Sequence, residues 1–223
     1  MDKPCIYAAP EELPSDIDSI IFASKHVSST GKPALTVHTT GNLTTSADFG
    51  GSPEEVAYVD PAIVRRVLRG LRDGASKQGL DIDVTMEATH HGPTSFPSPV
   101  CFIEIGSGPH EWESPMLGRI VADSIMVAAT TMPGGEPTAV GFGGTHYAAK
   151  HTRICLDGDY QIGHVVPKHA LETGVSDQVI QDTIRKTTGS CKTALVDWKG
   201  IGGSERRRLV DLLENSGNEV VRS

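Results

Sequence analysis

An α/β fold is predicted for this chain by three observations. Helical and strand periodicities alternate along it, no internal repeat or linker divides it, and its polar, histidine-bearing segments follow directly on apolar strands. At 223 residues it is expected to form one domain spanning 1–223, large enough to bury a core without disulfide or metal staples. Twenty-four glycines and 14 prolines favour many tight turns and argue against a helical bundle.

The elements follow in order. Residues 19–23 and 34–38 are short and rich in β-formers, as buried strands are. Asp60-Pro61 reads as a helix start, since aspartate caps free amides and proline suits the first turn. Val64, Val67, Leu68 and Leu71 then fall on one helical stripe, and the helix is expected to end near Gly74 or Gly79. Arg65, Arg66, Arg69 and Arg72 lie largely off that stripe and read as a solvated face. Residues 82–89 alternate with period 2 and run straight into His90-His91-Gly92-Pro93. Residues 100–105 form another strand. Ser114-Pro115 opens a helix with Leu117, Ile120, Val121, Ser124, Ile125 and Ala128 on one face. A short strand at 139–142 ends in Gly143-Gly144-Thr145-His146-Tyr147. Ser176 is expected to cap a helix through Arg185, residues 193–198 to form a strand, and Ser204 to cap a last helix carrying Leu209, Val210, Leu212 and Leu213.

Composition narrows the function classes. No run of 18 apolar residues is present, which rules out a membrane-spanning helix, and the first residues carry no secretory pattern. Four scattered cysteines with no C-x-x-C exclude a cysteine zinc ribbon, so the protein reads as cytoplasmic with reduced thiols. Cys101 reads as a small core residue rather than a nucleophile. A net charge of −8 repels polyanions at long range, so a nucleic-acid partner would require a local basic track. The Arg-rich 61–73 segment, Lys192, Lys199 and Arg206 to Arg208 are the candidates for one.

The chemistry is expected at strand ends, where open α/β sheets bind ligands. Lys25-His26, His38, Thr89-His90-His91, Glu104 and His146 all occupy such positions. Imidazoles with a carboxylate and an open position suit Zn²⁺, and without metal they suit general-base catalysis. Gly143 and Gly144 let backbone amides approach an anionic oxygen. Neighbouring histidines on an extended segment point to opposite sides, so one of His90 and His91 is expected to be structural. Glu104 inside an apolar strand needs a partner. His110, His151 and His169 read as solvated.

The segments 87–94, 102–107 and 141–148, with Ser24-Lys25-His26, 35–42 and 163–167, together resemble the archaeal and plant type of D-aminoacyl-tRNA deacylase. The resemblance covers roughly residues 18–200. It implies a three-layer α/β/α sandwich with a mixed, mostly parallel sheet, similar to the phosphorylase and peptidyl-tRNA hydrolase folds. It also implies zinc-dependent hydrolysis of the ester between a D-amino acid and tRNA. His90, His91, Glu104 and His146 would be catalytic and metal-binding. Lys25, His26, His38, Thr89, Gly143, Gly144, Thr145 and His164 would contact the D-aminoacyl-tRNA substrate. No membrane and no obligate protein partner are expected. Two departures stand out: the strand and helix with which the family usually begins are not seen, and Ala149 stands where proline is expected. A zinc hydrolase of a small ester or amide, and a non-catalytic tRNA-binding module, are the alternative readings.

Overall fold

The computed structural model describes residues 3–14, 16–28, 31–132 and 134–223. Among the described residues the strands are β1 (Ile20–Lys25), β2 (Ala34–Thr39), β3 (Gly41–Asn42), β4 (Glu55–Val56), β5 (Asp83–Met86), β6 (Val100–Gly106), β7 (Thr138–Phe142), β8 (Gln161–Val166), β9 (Thr193–Val196) and β10 (Glu219–Arg222). They alternate with α1 (Pro61–Lys77), α2 (Pro109–Trp112), α3 (Pro115–Thr130), α4 (Ala149–Asp157), α5 (Lys168–Thr173), α6 (Asp177–Arg185) and α7 (Gly203–Asn215). One four-stranded sheet has the order β1-β6-β2-β5, the other β10-β9-β7-β8, and β3 pairs with β4. Only β2–β6 is antiparallel within the two larger sheets. The expected α/β sandwich with a mixed, mostly parallel arrangement is what the chain forms, divided into two sheets.

The sheets meet where the chain runs past β5. Ala88 N donates to the His146 carbonyl at 2.7 Å and Thr89 N to the Val165 carbonyl at 2.8 Å. Residues 87–89 thus stitch the edge of one sheet to that of the other. One core lies under α1 and α3, around Leu35, Val37, Leu68, Leu71, Ile103 and Ile120. A second lies under α6 and α7, around Phe142, Val196, Ile180 and Leu209. Apolar burial at about 25 cal/mol per Å² drives both.

The helix starts follow capping chemistry. The Asp60 carboxylate accepts from Ala62 N, the Ser114 hydroxyl from Leu117 N and the Ser176 hydroxyl from Val179 N. At the last helix the expected cap is displaced: Gly202 takes that position and Ser204 lies inside α7. Among the described residues, no helix is long and apolar enough to cross a membrane.

Elements β3, β4, β8, β10, α2, α4 and α5 lay outside the periodicity argument, and three of them show why. In β8 the apolar pattern is interrupted by Gly163 and His164, while α4 carries only a short apolar face and β10 is a short edge strand. Gly163 is required because a Cβ there would stand 2.7 Å from Thr187 Oγ1 and 2.9 Å from Val59 Cγ1. The α1 arginines also need correction. Arg65 is only 4% exposed and donates to the Gly158 carbonyl at 2.7 Å. Arg66 and Arg69 donate to the carbonyls of Ala128 and Leu156, and Arg72 pairs with Asp157 and Asp73. Long side chains bury their stems while satisfying the carbonyls at the ends of α3 and α4. These arginines are structural, not a phosphate track. His151 is likewise not solvated: it is buried in α4 against Gly141, where an added Cβ would meet its ring at 2.9 Å.

Candidate active site

Strand register builds the first half of the site. Ser24 of β1 and Thr36 of β2 both pair with Glu104 of β6, and His38 pairs with Phe102. Side chains alternate across a sheet, so His26, His38, Phe102 and Glu104 share one face. The opposite face presents Leu35, Val37 and Ile103 to the helices. His38 stacks on Phe102, with ring centroids 5.2 Å apart.

The second half comes from the residues after β5. His90 and His91 do not point to opposite sides. His91 has φ +41°, and this left-handed turn brings both rings together, 4.5 Å apart. His38 lies 4.1 Å from His90 and 4.8 Å from His91 by the same measure. Each imidazole is fixed by the main chain. His90 Nδ1 donates to the Ala88 carbonyl at 2.7 Å, His91 Nδ1 to the Gly92 carbonyl at 2.6 Å and His38 Nδ1 to the Thr39 carbonyl at 3.2 Å. In that tautomer each Nε2 carries the lone pair.

Two buried carboxylates face these rings. Glu104 Oε2 lies 3.5 Å from His26 Nδ1 and 3.8 Å from His38 Nε2. Glu87, absent from the sequence candidates, is the hub. Its Oε2 accepts from His146 Nε2 at 2.9 Å and lies 3.7 Å from His90 Nε2, while its Oε1 is 3.5 Å from His26 Nδ1. Its alternation with Met86 marked it as facing away from the core, the one signal available in the sequence. Tyr147 is the other addition, with its hydroxyl 2.6 Å from His26 Nε2.

The charges follow. Burial pushes the Glu104 carboxyl up, but the attraction of nearby His26 and His38 outweighs it and holds the group well below the usual carboxylate range. Glu87 is lowered too: burial opposes ionisation, and His146 with the nearby imidazoles overcomes it. The Glu104 contact raises His26. In His38, burial opposes the proton while Glu104 attracts it more strongly, and the net direction is upward. His90 and His91 are driven down by desolvation and by neighbouring imidazoles, His91 to about 4, so both are neutral near pH 7.

The remaining candidates are placed as follows. Lys25 is exposed, with Nζ over the Trp112 ring. His164 is fully buried behind the site: Nε2 donates to the Ala57 carbonyl, and Nδ1 accepts from Thr39 and Thr89 Oγ1 at 3.1 Å each. Thr89 therefore orders the wall of the site. Gly143 and Gly144 turn the chain with φ +92° and +81°, and the Gly143 amide is bonded to the Val166 carbonyl. Thr145 donates to the Tyr147 carbonyl. Cys101 is buried, with its thiol pushed up to about 12, which suits a core residue.

His90, His91 and His146 open on a cleft of about 240 Å³, walled also by Asn42, Pro167 and His169. A larger cavity of about 520 Å³ lies between the starts of β2 and β5 and helix α4, and shares Tyr147 with the site. We assign the chemistry to the smaller cleft because the imidazoles line it.

The donor set fits a metal ion. His38, His90 and His91 each place a ligand atom within 4.8 Å of the others, as do Glu87, His90 and His146, and His26, Glu87 and Glu104. The ring nitrogens of the first trio are oriented by backbone carbonyls, the support that metal-bound histidines use. Buried His38 Nε2 and Glu87 Oε1 make no hydrogen bond. His90, His91, His146 and Glu104 do not gather into one such group among the described residues.

Gly92 holds the bend that aims His91. A Cβ there would stand 2.4 Å from Gly50 C and Gly51 N, main-chain atoms with no rotamer to yield. Gly92→Ala is expected to lose about 3 kcal/mol or more of stability. Urea unfolding checks this; a loss under about 1 kcal/mol would show that residues 50–51 give way.

A sequence model of the family described as D-aminoacyl-tRNA deacylase matches residues 13–221. A D-aminoacyl-tRNA deacylase from Methanocaldococcus jannaschii is 39% identical over 99% of this chain and 88% of its own length. One from Aeropyrum pernix is 38% identical over 91% and 75%, and one from Methanosarcina acetivorans 40% identical over 94% and 68%. Among solved structures, the crystal structure of a conserved protein of unknown function superposes with a TM-score of 0.91 at 31% identity, covering 99% of this chain and 78% of that one.

Proposed function

Because this chain belongs to the D-aminoacyl-tRNA deacylase family, we propose that its cleft performs the reaction that gives the family its name. It hydrolyses the ester between a D-amino acid and tRNA, returning free tRNA and keeping D-amino acids out of translation. The observation that carries the mechanism is the carboxylate-anchored His146 beside neutral His90 and His91 at the mouth of one cleft.

Glu87 accepts the His146 Nε2 proton and leaves Nδ1 as the basic nitrogen. His146 takes a proton from the attacking water and later returns it to the departing ribose oxygen, so acid and tRNA leave with the proton balance closed. His26, held by Glu87, Glu104 and Tyr147, keeps both carboxylates ionised and in place. A zinc ion held by His38, His90 and His91 would supply Lewis-acid polarisation of the ester carbonyl and acidify water at the cleft. To hold such an ion, His38 would have to give up the proton that Glu104 attracts to it. The 240 Å³ cleft suits an aminoacyl end rather than a polynucleotide, so the rest of the tRNA lies outside it.

Release of labelled amino acid from D-Tyr-tRNA and L-Tyr-tRNA, compared in parallel, tests the reading. Hydrolysis of the D ester alone is expected, with kcat falling at least ~100-fold on chelation and returning with zinc. Chelator-insensitive D-specific turnover would remove zinc and keep the reaction. Turnover of neither ester would overturn the function.

A further inference from the structure

We propose that the face around Trp198 is the surface on which the tRNA phosphate backbone lies while its aminoacyl end enters the cleft; this rests on the deacylase reading. The guanidiniums of Arg206 and Arg222 both lie over the Trp198 ring, at 4.6 and 4.0 Å from its centroid. Arg206 is further fixed by donating to the Trp198 carbonyl at 2.6 Å. Exposed Lys199 and Arg207 flank them, beside a groove of about 350 Å³ along the start of α7.

These cations differ from the paired arginines of the chain and are clustered where other unpaired cations among the described residues, such as Lys77 and Arg119, are not. Arg72, Arg185 and Arg208 are neutralised by neighbouring carboxylates. Among the described residues, none of Lys199, Arg206, Arg207 and Arg222 forms an ion pair. On a chain with net charge −8, four unpaired cations around one indole form a local site for a polyanion. Asp211 also lines the groove, so the positive side of the face is the one carrying Lys199 and Arg222.

Topology puts this face at the working end. Strands β7, β9 and β10 are parallel, so the segments after them emerge on the same side as His146. The 197–201 segment packs on the turn that carries His146. A Cβ at Gly143 would touch Ile201 and Asp197, and one at Gly200 would stand 2.9 Å from the Gly144 amide nitrogen. Lys192, by contrast, precedes β9 at the far end, and Arg208 is held by Glu205 and Asp177. Of the cations that the sequence offered as a track, the 199–207 group and Arg222, which only the fold adds, meet the requirements.

The test pairs binding with turnover. Affinity for uncharged tRNA is read by fluorescence anisotropy between 50 and 200 mM salt (about fourfold in concentration, enough to resolve a slope). Hydrolysis is read on D-Tyr-tRNA and on the minimal ester D-tyrosyl-adenosine. For Lys199→Glu/Arg207→Glu we expect at least roughly tenfold weaker binding and a salt slope smaller by about two, one per lost phosphate contact. KM for D-Tyr-tRNA should rise with it, with turnover of the minimal ester unchanged. The remote pair Lys77→Glu/Arg119→Glu makes the same charge change on exposed positions of α1 and α3 and should stay within about twofold of the parent. Unchanged tRNA affinity in the first variant, or an equal loss in the remote pair, would overturn the proposal, as would a parent that binds no tRNA. A parent that binds tRNA through this face but cleaves neither ester would support the surface and overturn the deacylase reading instead.

Discussion

Glu87→Gln is expected to lower kcat/KM on D-aminoacyl-tRNA by about 10³-fold or more, with the fold intact and KM little changed. The carboxylate accepts from His146 Nε2 at 2.9 Å and so dictates which nitrogen of that ring is basic. An amide of the same shape can turn its NH₂ toward the ring, which selects the opposite tautomer. In a catalytic triad the equivalent change costs about 10⁴-fold. Glu87 also balances His26 at 3.5 Å, so Glu87→Ala is expected to weaken the fold as well, leaving His26 facing Glu104 alone. Steady-state kinetics with circular dichroism decides the matter. A glutamine variant within tenfold of the parent would show that Glu87 does not set the state of His146.

The second large effect is acid destabilisation driven by two histidines outside the catalytic set. His151 and His164 are both buried, and burial lowers each to about 4. The unfolded chain holds them near 6.5. A group depressed in the folded state is fully stabilising above its unfolded value, and its contribution is lost as pH falls from 6.5 to about 4. Each then withdraws about 3 kcal/mol across that window. Urea unfolding at pH 7, 5.5 and 4 should show a steep fall, to which His90 and His91 add, and His151→Phe, which cannot gain a proton, should make the total fall smaller by about 3 kcal/mol. The same slope in parent and variant would mean that His151 is not the group titrating.

The shape of this chain was legible to different depths in different places. At α1 and α3 an Asp or Ser followed by Pro and a 3.6-residue apolar stripe gave both starts, because capping and amphipathicity are local chemistry. β8 escaped because Gly163 and His164 break its pattern. Their reasons are non-local: Thr187 and Val59 press against one, and Ala57, Thr39 and Thr89 bond the other. The α1 arginines were misread for the same reason, since a helix face looks solvated until α3 and α4 set carbonyls against it.

By itself the sequence determined the α/β class, most strands and helices, the family, and the imidazoles His26, His38, His90, His91 and His146 at strand ends. Those follow from periodicity, capping and residue type, which each segment carries within itself. Only the tertiary structure decided that His90 and His91 face the same way, that Glu87 joins His146 to His26 and His90, and that the cations beside the site are those around Trp198. Each of these depends on a backbone turn or strand register that brings together residues dozens of positions apart. A charge or lone pair acquires its role from the groups a few ångströms away, and those neighbours are fixed by packing rather than by sequence order.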